Sequence, residues 1–106
     1  MLKWKRISVV AADGDEEVKI VLSGMSGKNR VIKHIGIDNH LATQRLRVYR
    51  DADQIVDIPC DLLTNETPFL PMDLPLAEGQ LCKVGFFNSA GVSSTRVISI
   101  GYTEAD

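Results

Sequence analysis

Residues 30–38 read Arg30-Val31-Ile32-Lys33-His34-Ile35-Gly36-Ile37-Asp38, and residues 44–50 read Gln44-Arg45-Leu46-Arg47-Val48-Tyr49-Arg50. Apolar and polar side chains alternate through both, the period of two that sets one face of a strand in a core and the other in water. The phase predicts Ile35, Ile37, Leu46 and Val48 inward. It places His34, Asp38, Arg45, Arg47 and Tyr49 outward.

Short runs of the same kind extend in both directions. Residues 2–12 form a strand pattern whose apolar phase changes between Trp4 and Ile7, which predicts a bulge or break there. Asp13-Gly14-Asp15 and Ser23-Gly24-Met25-Ser26-Gly27 are turn sequences, and Val18, Ile20 and Leu22 lie between them on a second strand. Residues 54–58, 81–88 and 95–103 complete a set of seven strands, with an eighth if part of 69–76 pairs. Only 61–65 and 40–44 offer a helical turn. Many short strands with no crossover helix indicate one all-β domain over 1–106, an antiparallel β-sandwich of jelly-roll or Ig-like type with seven to eight strands. Gly36-Ile37-Asp38-Asn39 leading to Arg45-Leu46-Arg47-Val48 is echoed by Gly85-Phe86-Phe87-Asn88 leading to Arg96-Val97-Ile98, and both read as hairpins. In the second, Cys82, Val84, Phe86, Ile98 and Ile100 face in, while Gly85, Ser99 and Gly101 face out. A face of Gly and Ser marks either a bulge or the close approach of another backbone.

The chain has 106 residues, 44% hydrophobic and 25% charged, near the commonest domain size. That balance excludes a wholly disordered tail, and a net charge of −2 argues against a dedicated nucleic-acid binder. No run approaches the roughly 18 apolar residues of a membrane span. The apolar run after the basic start, residues 7–12, is shorter than a secretory core of about 7 to 15 residues, so folding in a cytosol is expected. Cys60 and Cys82 are too few for a disulfide framework and lack zinc spacing; two reduced, buried thiols are expected. Asn65-Glu66-Thr67 matches a glycosylation acceptor, discounted for want of a secretion signal. The modest net charge hides an asymmetry. Residues 1–50 carry ten basic and five acidic groups, net +5, and residues 51–106 carry two and nine, net −7. Either the halves neutralise each other within the sandwich, or a basic and an acidic face favour head-to-tail contact between copies.

All four prolines fall between Pro59 and Pro75. Because proline fixes φ and lacks a donor, 59–76 is expected to be a long extended loop carrying Phe69, Leu70, Met72, Leu74 and Leu76. Its apolar content makes it either a lid on the open end of the sandwich or an arm that docks on a partner.

Tests for chemistry come back negative. Gly24-Met25-Ser26-Gly27-Lys28-Asn29 has neither the spacing nor the hydroxyl of a phosphate-binding loop. No Ser sits in a nucleophile elbow, and neither His34 nor His40 has a plausible triad partner. His34, Asp38 and His40 share strand parity, but along a strand they span about 20 Å, too far to meet one ion. Asp13-Gly14-Asp15-Glu16-Glu17 and Asp51-Ala52-Asp53 lack the ligand order of a calcium loop, and turn chemistry accounts for both. No cofactor or metal is implied. Lys3-Trp4-Lys5-Arg6 interleaves an aromatic with cations, and is read as a strand with Trp4 inward and the lysines outward.

The segments RVIKHIGIDN (30–39), RLRVYRD (45–51), DLPLAEGQ (73–80) and NSAGVSSTRVISIGYT (88–103) resemble the small all-β cement or decoration proteins of bacteriophage virions. The resemblance implies a non-enzymatic structural protein of the virion, made in the host cytoplasm, whose loops and termini bind copies of itself and capsid subunits. In that role Trp4, Phe69, Leu70 and Met72 would be apolar anchors, and Arg45, Arg47 and Arg50 would pair with carboxylates of a neighbouring subunit. The alternative is a carbohydrate- or ligand-binding β-sandwich module, for which only Trp4, Tyr49 and Tyr102 could form a sugar platform. A small barrel enzyme would instead need a deep polar pocket around His34 or Cys60.

Overall fold

The computed structural model describes residues 2–24, 26–38, 43–63 and 69–105. The strands are β1 (Leu2–Ala11), β2 (Glu16–Ser23), β3 (Asn29–Ile37), β4 (Gln44–Arg50), β5 (Asp53–Pro59), β6 (Phe69–Leu76), β7 (Leu81–Asn88) and β8 (Ser94–Ala105). They form two four-stranded antiparallel sheets, ordered β1-β8-β3-β6 and β2-β7-β4-β5. Every connection except β4–β5 carries the chain from one sheet to the other. That winding is the jelly roll, which decides between the two sandwiches the strand pattern allows.

The core is built as the alternation predicts. Ile35, Ile37, Ile98 and Ile100 of the first sheet meet Leu46, Val48, Val84 and Phe86 of the second, all buried. Two bulges adjust the phase. Val21 and Leu22 are neighbours yet both buried, because the β2–β7 register shifts between Ile20 and Leu22. Ile32 and Ile35 have opposite parity yet both reach the core, because β3 slips between Ile32 and His34.

Three local expectations are corrected. First, β1 pairs with β8 in unbroken register from Leu2 to Ala11, with no bulge between Trp4 and Ile7. The apparent phase change arises because Leu2 to Arg6 are all exposed: the second sheet does not cover this end, so parity there carries no burial signal. Second, the two echoing hairpins are not hairpins. β3 and β4 lie in different sheets, as do β7 and β8, so each pair is a corner between sheets. A strand–turn–strand signal is local and does not say whether the second strand pairs with the first. Third, the expected loop 59–76 is largely structured. Cys60–Leu62 form a 3₁₀ turn, and Phe69–Leu76 are β6, an edge strand on β3. Pro71 and Pro75 are tolerated because an edge strand needs donors on one side only. The glycosylation sequence at 65–67 and the expected helical residues 40–42 lie outside the described residues.

Asn88 ties the corners together. It is fully buried, and its amide nitrogen donates to the Ala11 carbonyl at 3.0 Å and the Val92 carbonyl at 2.7 Å. Its side-chain oxygen accepts from Gln44 Nε2 at 3.3 Å and from the Ala90 amide at 3.1 Å. Gln44, also buried, accepts in turn from Arg96 Nε at 2.8 Å. The Ser89 amide adds a bond to the Thr43 carbonyl.

Candidate functional site

The antiparallel register stacks residues in rows across the outer face of the β1-β8-β3-β6 sheet. One row runs Trp4, Gly101, His34, Pro71; the next runs Arg6, Ser99, Gly36, Phe69. The central positions are Gly or Ser except for His34. Side chains from the two edge strands therefore lean inward and meet above the middle of the sheet. Trp4 lies against Gly101, where a Cβ would sit 3.0 Å from the indole ring. Its ring centre is 5.2 Å from Phe69 and 6.0 Å from His34, and it lies nearly parallel to the imidazole. His34 and Phe69 meet edge to face at 6.5 Å. Trp4 stays 53% exposed and Phe69 40%. This corrects the expectation of an inward Trp4: it belongs to the even, outer face of β1.

Two open lobes adjoin the aromatic cluster. Trp4, Lys5, Arg6, Phe69 and Ser99 line one of about 370 Å³. Arg6, Phe69 and Ser99 also line the second, of about 410 Å³, with Gly36, Asp38 and Val97. Lys5 and Arg6 make no ion pair or hydrogen bond among the described residues.

Most other cations are occupied, although Lys83 of β7 likewise makes no ion pair or hydrogen bond among the described residues. Lys3 and Arg30 both bind Glu104, at 3.0 and 2.7 Å, and hold its carboxyl below the usual range. Lys33 pairs with Asp73. On the outer face of the other sheet, Arg45 Nε is 2.7 Å and Arg47 Nε 3.2 Å from Asp57, whose pKa these bonds depress, Arg45 most. Arg47 also pairs with Glu16 and lies over the Phe87 ring at 4.9 Å. Arg50 donates to the Pro75 carbonyl at 3.2 Å. The arginines expected to reach a neighbouring subunit are thus engaged within the chain, and Arg45 and Arg47 sit in the opposite layer from Trp4 and Phe69. The pairs that Lys3, Arg30, Lys33 and Arg45 form each join a cation of the basic half to an acid of the acidic half, so the +5 and −7 halves neutralise each other strand by strand.

Of the expected apolar anchors, Trp4 and Phe69 come together. Leu70 and Met72 are corrected: both point inward and pack, partly buried, against the core, so that part of the segment is a lid. The alternation of β6 forces this, since Leu74 and Leu76 share their parity and are buried. Strand alternation alone could have separated Phe69 from Leu70. It could not have joined His34 and Phe69 to Trp4, since they lie on three strands. The small face at Gly85, Ser99 and Gly101 was the available signal. Of the two alternatives for it, close backbone approach holds at Gly85, and the nearest bulge lies on β3 rather than at a glycine of this face. A Cβ on Gly85 would lie 1.8 Å from the Glu17 carbonyl oxygen, a close backbone approach, while the β3 bulge falls opposite the Tyr102–Gly101 step.

Cys60 and Cys82 are free and buried, and burial pushes their thiols up to about 11 and about 12. Asp13 and Asp51 use a carboxylate oxygen to accept from the Gly91 and Leu81 amides, which is turn chemistry. No cluster of three metal-ligating side chains occurs among the described residues, and His40 lies outside them. No described helix is long and apolar enough to cross a membrane.

Among solved structures, the nucleoplasmin-like N-terminal domain of Drosophila FKBP39 is similar, with a TM-score of 0.50. The likeness covers all of this chain and 92% of that one, at 14% identity, and it extends to the fold. No family model and no curated protein matches the sequence.

Proposed function

We propose that the protein is a non-enzymatic structural module that docks on protein partners, capsid subunits and copies of itself on a virion surface, through the outer face of the β1-β8-β3-β6 sheet. The observation that carries this is the exposed Trp4–Phe69 contact at 5.2 Å over a Gly/Ser floor, flanked by Arg6, which has no partner among the described residues. Tryptophan and arginine are the residues that dominate binding energy at protein interfaces, and a side chain held by its neighbours loses little entropy on docking. A second reading, a carbohydrate- or ligand-binding module, is favoured by one feature: the near-parallel Trp4 and His34 rings beside a cleft that holds both Arg6 and Asp38.

Mass in solution, alone and with purified capsids, tests the proposal. Self-association or capsid association should be abolished by Trp4→Ser with Phe69→Asp, with the β circular dichroism unchanged. A strict monomer that binds no capsid overturns it. Saturable binding of a neutral oligosaccharide by that monomer establishes the second reading in its place.

A further inference from the structure

We infer that the lobe between Arg6, Asp38 and Phe69 binds a neutral saccharide, its hydroxyls held by the two opposite charges and the apolar face of one sugar ring laid on Phe69. The inference rests on the second reading above, the ligand-binding one, and deepens it by naming the ligand class and its contacts. Three polar side chains line this lobe of about 410 Å³: Arg6 of β1, Ser99 of β8 and Asp38 just beyond β3. None of the three side chains makes an ion pair or hydrogen bond among the described residues. The Asp38 amide donates to the Val97 carbonyl at 3.0 Å, which fixes the residue beside the lobe and leaves its carboxylate uncommitted. The outer face of the other sheet is the contrast, since Arg45, Arg47, Asp57 and Glu16 are all tied to one another there. Register keeps Arg6 and Asp38 from doing the same. Arg6 lies opposite Ser99, and Ser99 opposite Gly36, so two strand spacings and two further residues separate the charges. That places their Cα atoms about 12 Å apart, at roughly 4.8 Å per strand and 3.3 Å per residue. The pair selects the charge of the ligand. A guanidinium only donates, a carboxylate only accepts, and the Ser99 hydroxyl does both. A ligand that serves all three carries donors and acceptors side by side, as vicinal hydroxyls do. An anion is opposed by Asp38 and a cation by Arg6, so a net charge of either sign loses at one end what it gains at the other. The wall selects a ring. Phe69 is 40% exposed and braced by Trp4 at 5.2 Å, so it presents a fixed aromatic surface, and Val97 adds an apolar contact. Gly36, beneath, carries no side chain and leaves depth for the ring. The volume lies within the range of small-molecule sites.

The full chain is titrated by calorimetry with three tetrasaccharides: maltotetraose and cellotetraose, both neutral, and an anionic galacturonate tetramer. At least one neutral tetramer should bind saturably and severalfold tighter than the galacturonate, and raising the salt to about 0.5 M should leave its affinity within about twofold. Arg6→Gln and Asp38→Asn alter exposed side chains without partners, so the melting curve should not move, yet each should weaken the neutral tetramer about tenfold. They should also shift selectivity in opposite directions. Asp38→Asn narrows the gap between the neutral and the anionic tetramer, and Arg6→Gln widens it, which a general loosening of the fold would not do. Tighter binding of the galacturonate by the unaltered chain, or neutral binding indifferent to both substitutions, overturns the inference. If neutral binding survives those substitutions but is lost in Trp4→Ser with Phe69→Asp, the ligand-binding reading stands and the assignment to this lobe falls. If none of the three binds, the inference and the ligand-binding reading fall together, and docking is judged by the capsid assay alone.

Discussion

Replacing Asn88 by alanine should cost about 4 kcal/mol of folding stability. The side chain makes four hydrogen bonds in a site closed to solvent: two donated, to the carbonyls of Ala11 and Val92, and two accepted, from Gln44 and the Ala90 amide. Each is worth about 1 kcal/mol net, and leaving the buried Ala11 carbonyl and Gln44 amide unsatisfied offsets the smaller loss at exposed Val92 and half-buried Ala90, which keeps the total near the sum. With an unfolding entropy of roughly 0.22 kcal/mol/K for 106 residues, that loss lowers Tm by about 18 °C. Chemical denaturation followed by the Trp4 signal and by far-ultraviolet circular dichroism measures it, and agreement between the probes checks that unfolding stays two-state. Asn88→Asp sharpens the test. It keeps the size and the accepting oxygen but sets an ionised carboxylate against two carbonyl oxygens, so at neutral pH it should be at least as damaging as alanine. Gln44→Ala should couple to Asn88→Ala by about 1 kcal/mol, because the two share one bond. A Tm drop under about 4 °C for Asn88→Ala, or a neutral Asn88→Asp, would refute the idea that this amide latches the corners.

Three further outcomes are expected. Gly85→Ala should destabilise by about 3 kcal/mol or prevent folding, since the new Cβ would lie 1.8 Å from the Glu17 carbonyl oxygen and β2 would have to move off β7; a melting curve checks it. The Asp57 carboxyl titrates below its ordinary value because Arg45 and then Arg47 hydrogen-bond to it. Its contribution is therefore fully present above about pH 4 and is lost as the pH falls through the folded value, so Asp57→Asn should flatten the acid limb of the stability profile while lowering stability at pH 7. Glu104 is depressed in the same way by Lys3 and Arg30, so part of that limb should survive in the Asp57 variant. Cys60 and Cys82 should resist a thiol reagent at pH 8 in the folded protein and react together on unfolding, because burial holds both thiols protonated to about 11 and about 12.

The candidate site shows where local pattern stops being informative. Trp4 stands at an exposed strand end, where the alternation of its neighbours does not reveal its direction; Gly101, nearly a hundred residues away, decides it by leaving room for the indole. Arg45 and Arg47 were rightly placed on an outer face. Their occupation by Asp57 and Glu16 depends on β5 pairing alongside β4 and on β2 lying across β7, which no local signal encodes. Leu70 and Met72 were misjudged because two prolines masked a strand: the ring removes donors, and only the edge position in the sheet makes that harmless.

The sequence by itself determined that the protein is an all-β sandwich, which segments other than β6 are strands, and that Ile35, Ile37, Leu46, Val48, Phe86, Ile98 and Ile100 fill the core. Those properties follow from the two-residue pleat, a local geometry that the order of side chains records directly. The tertiary structure alone decided that the sandwich is a jelly roll, that the echoing segments are corners, and that β1, β3, β6 and β8 bring Trp4, His34, Phe69 and Arg6 to one face. Those are properties of strand partnership. Partnership is set by how the whole chain closes its two sheets around one core, so residues distant in sequence become neighbours only when every strand has taken its place.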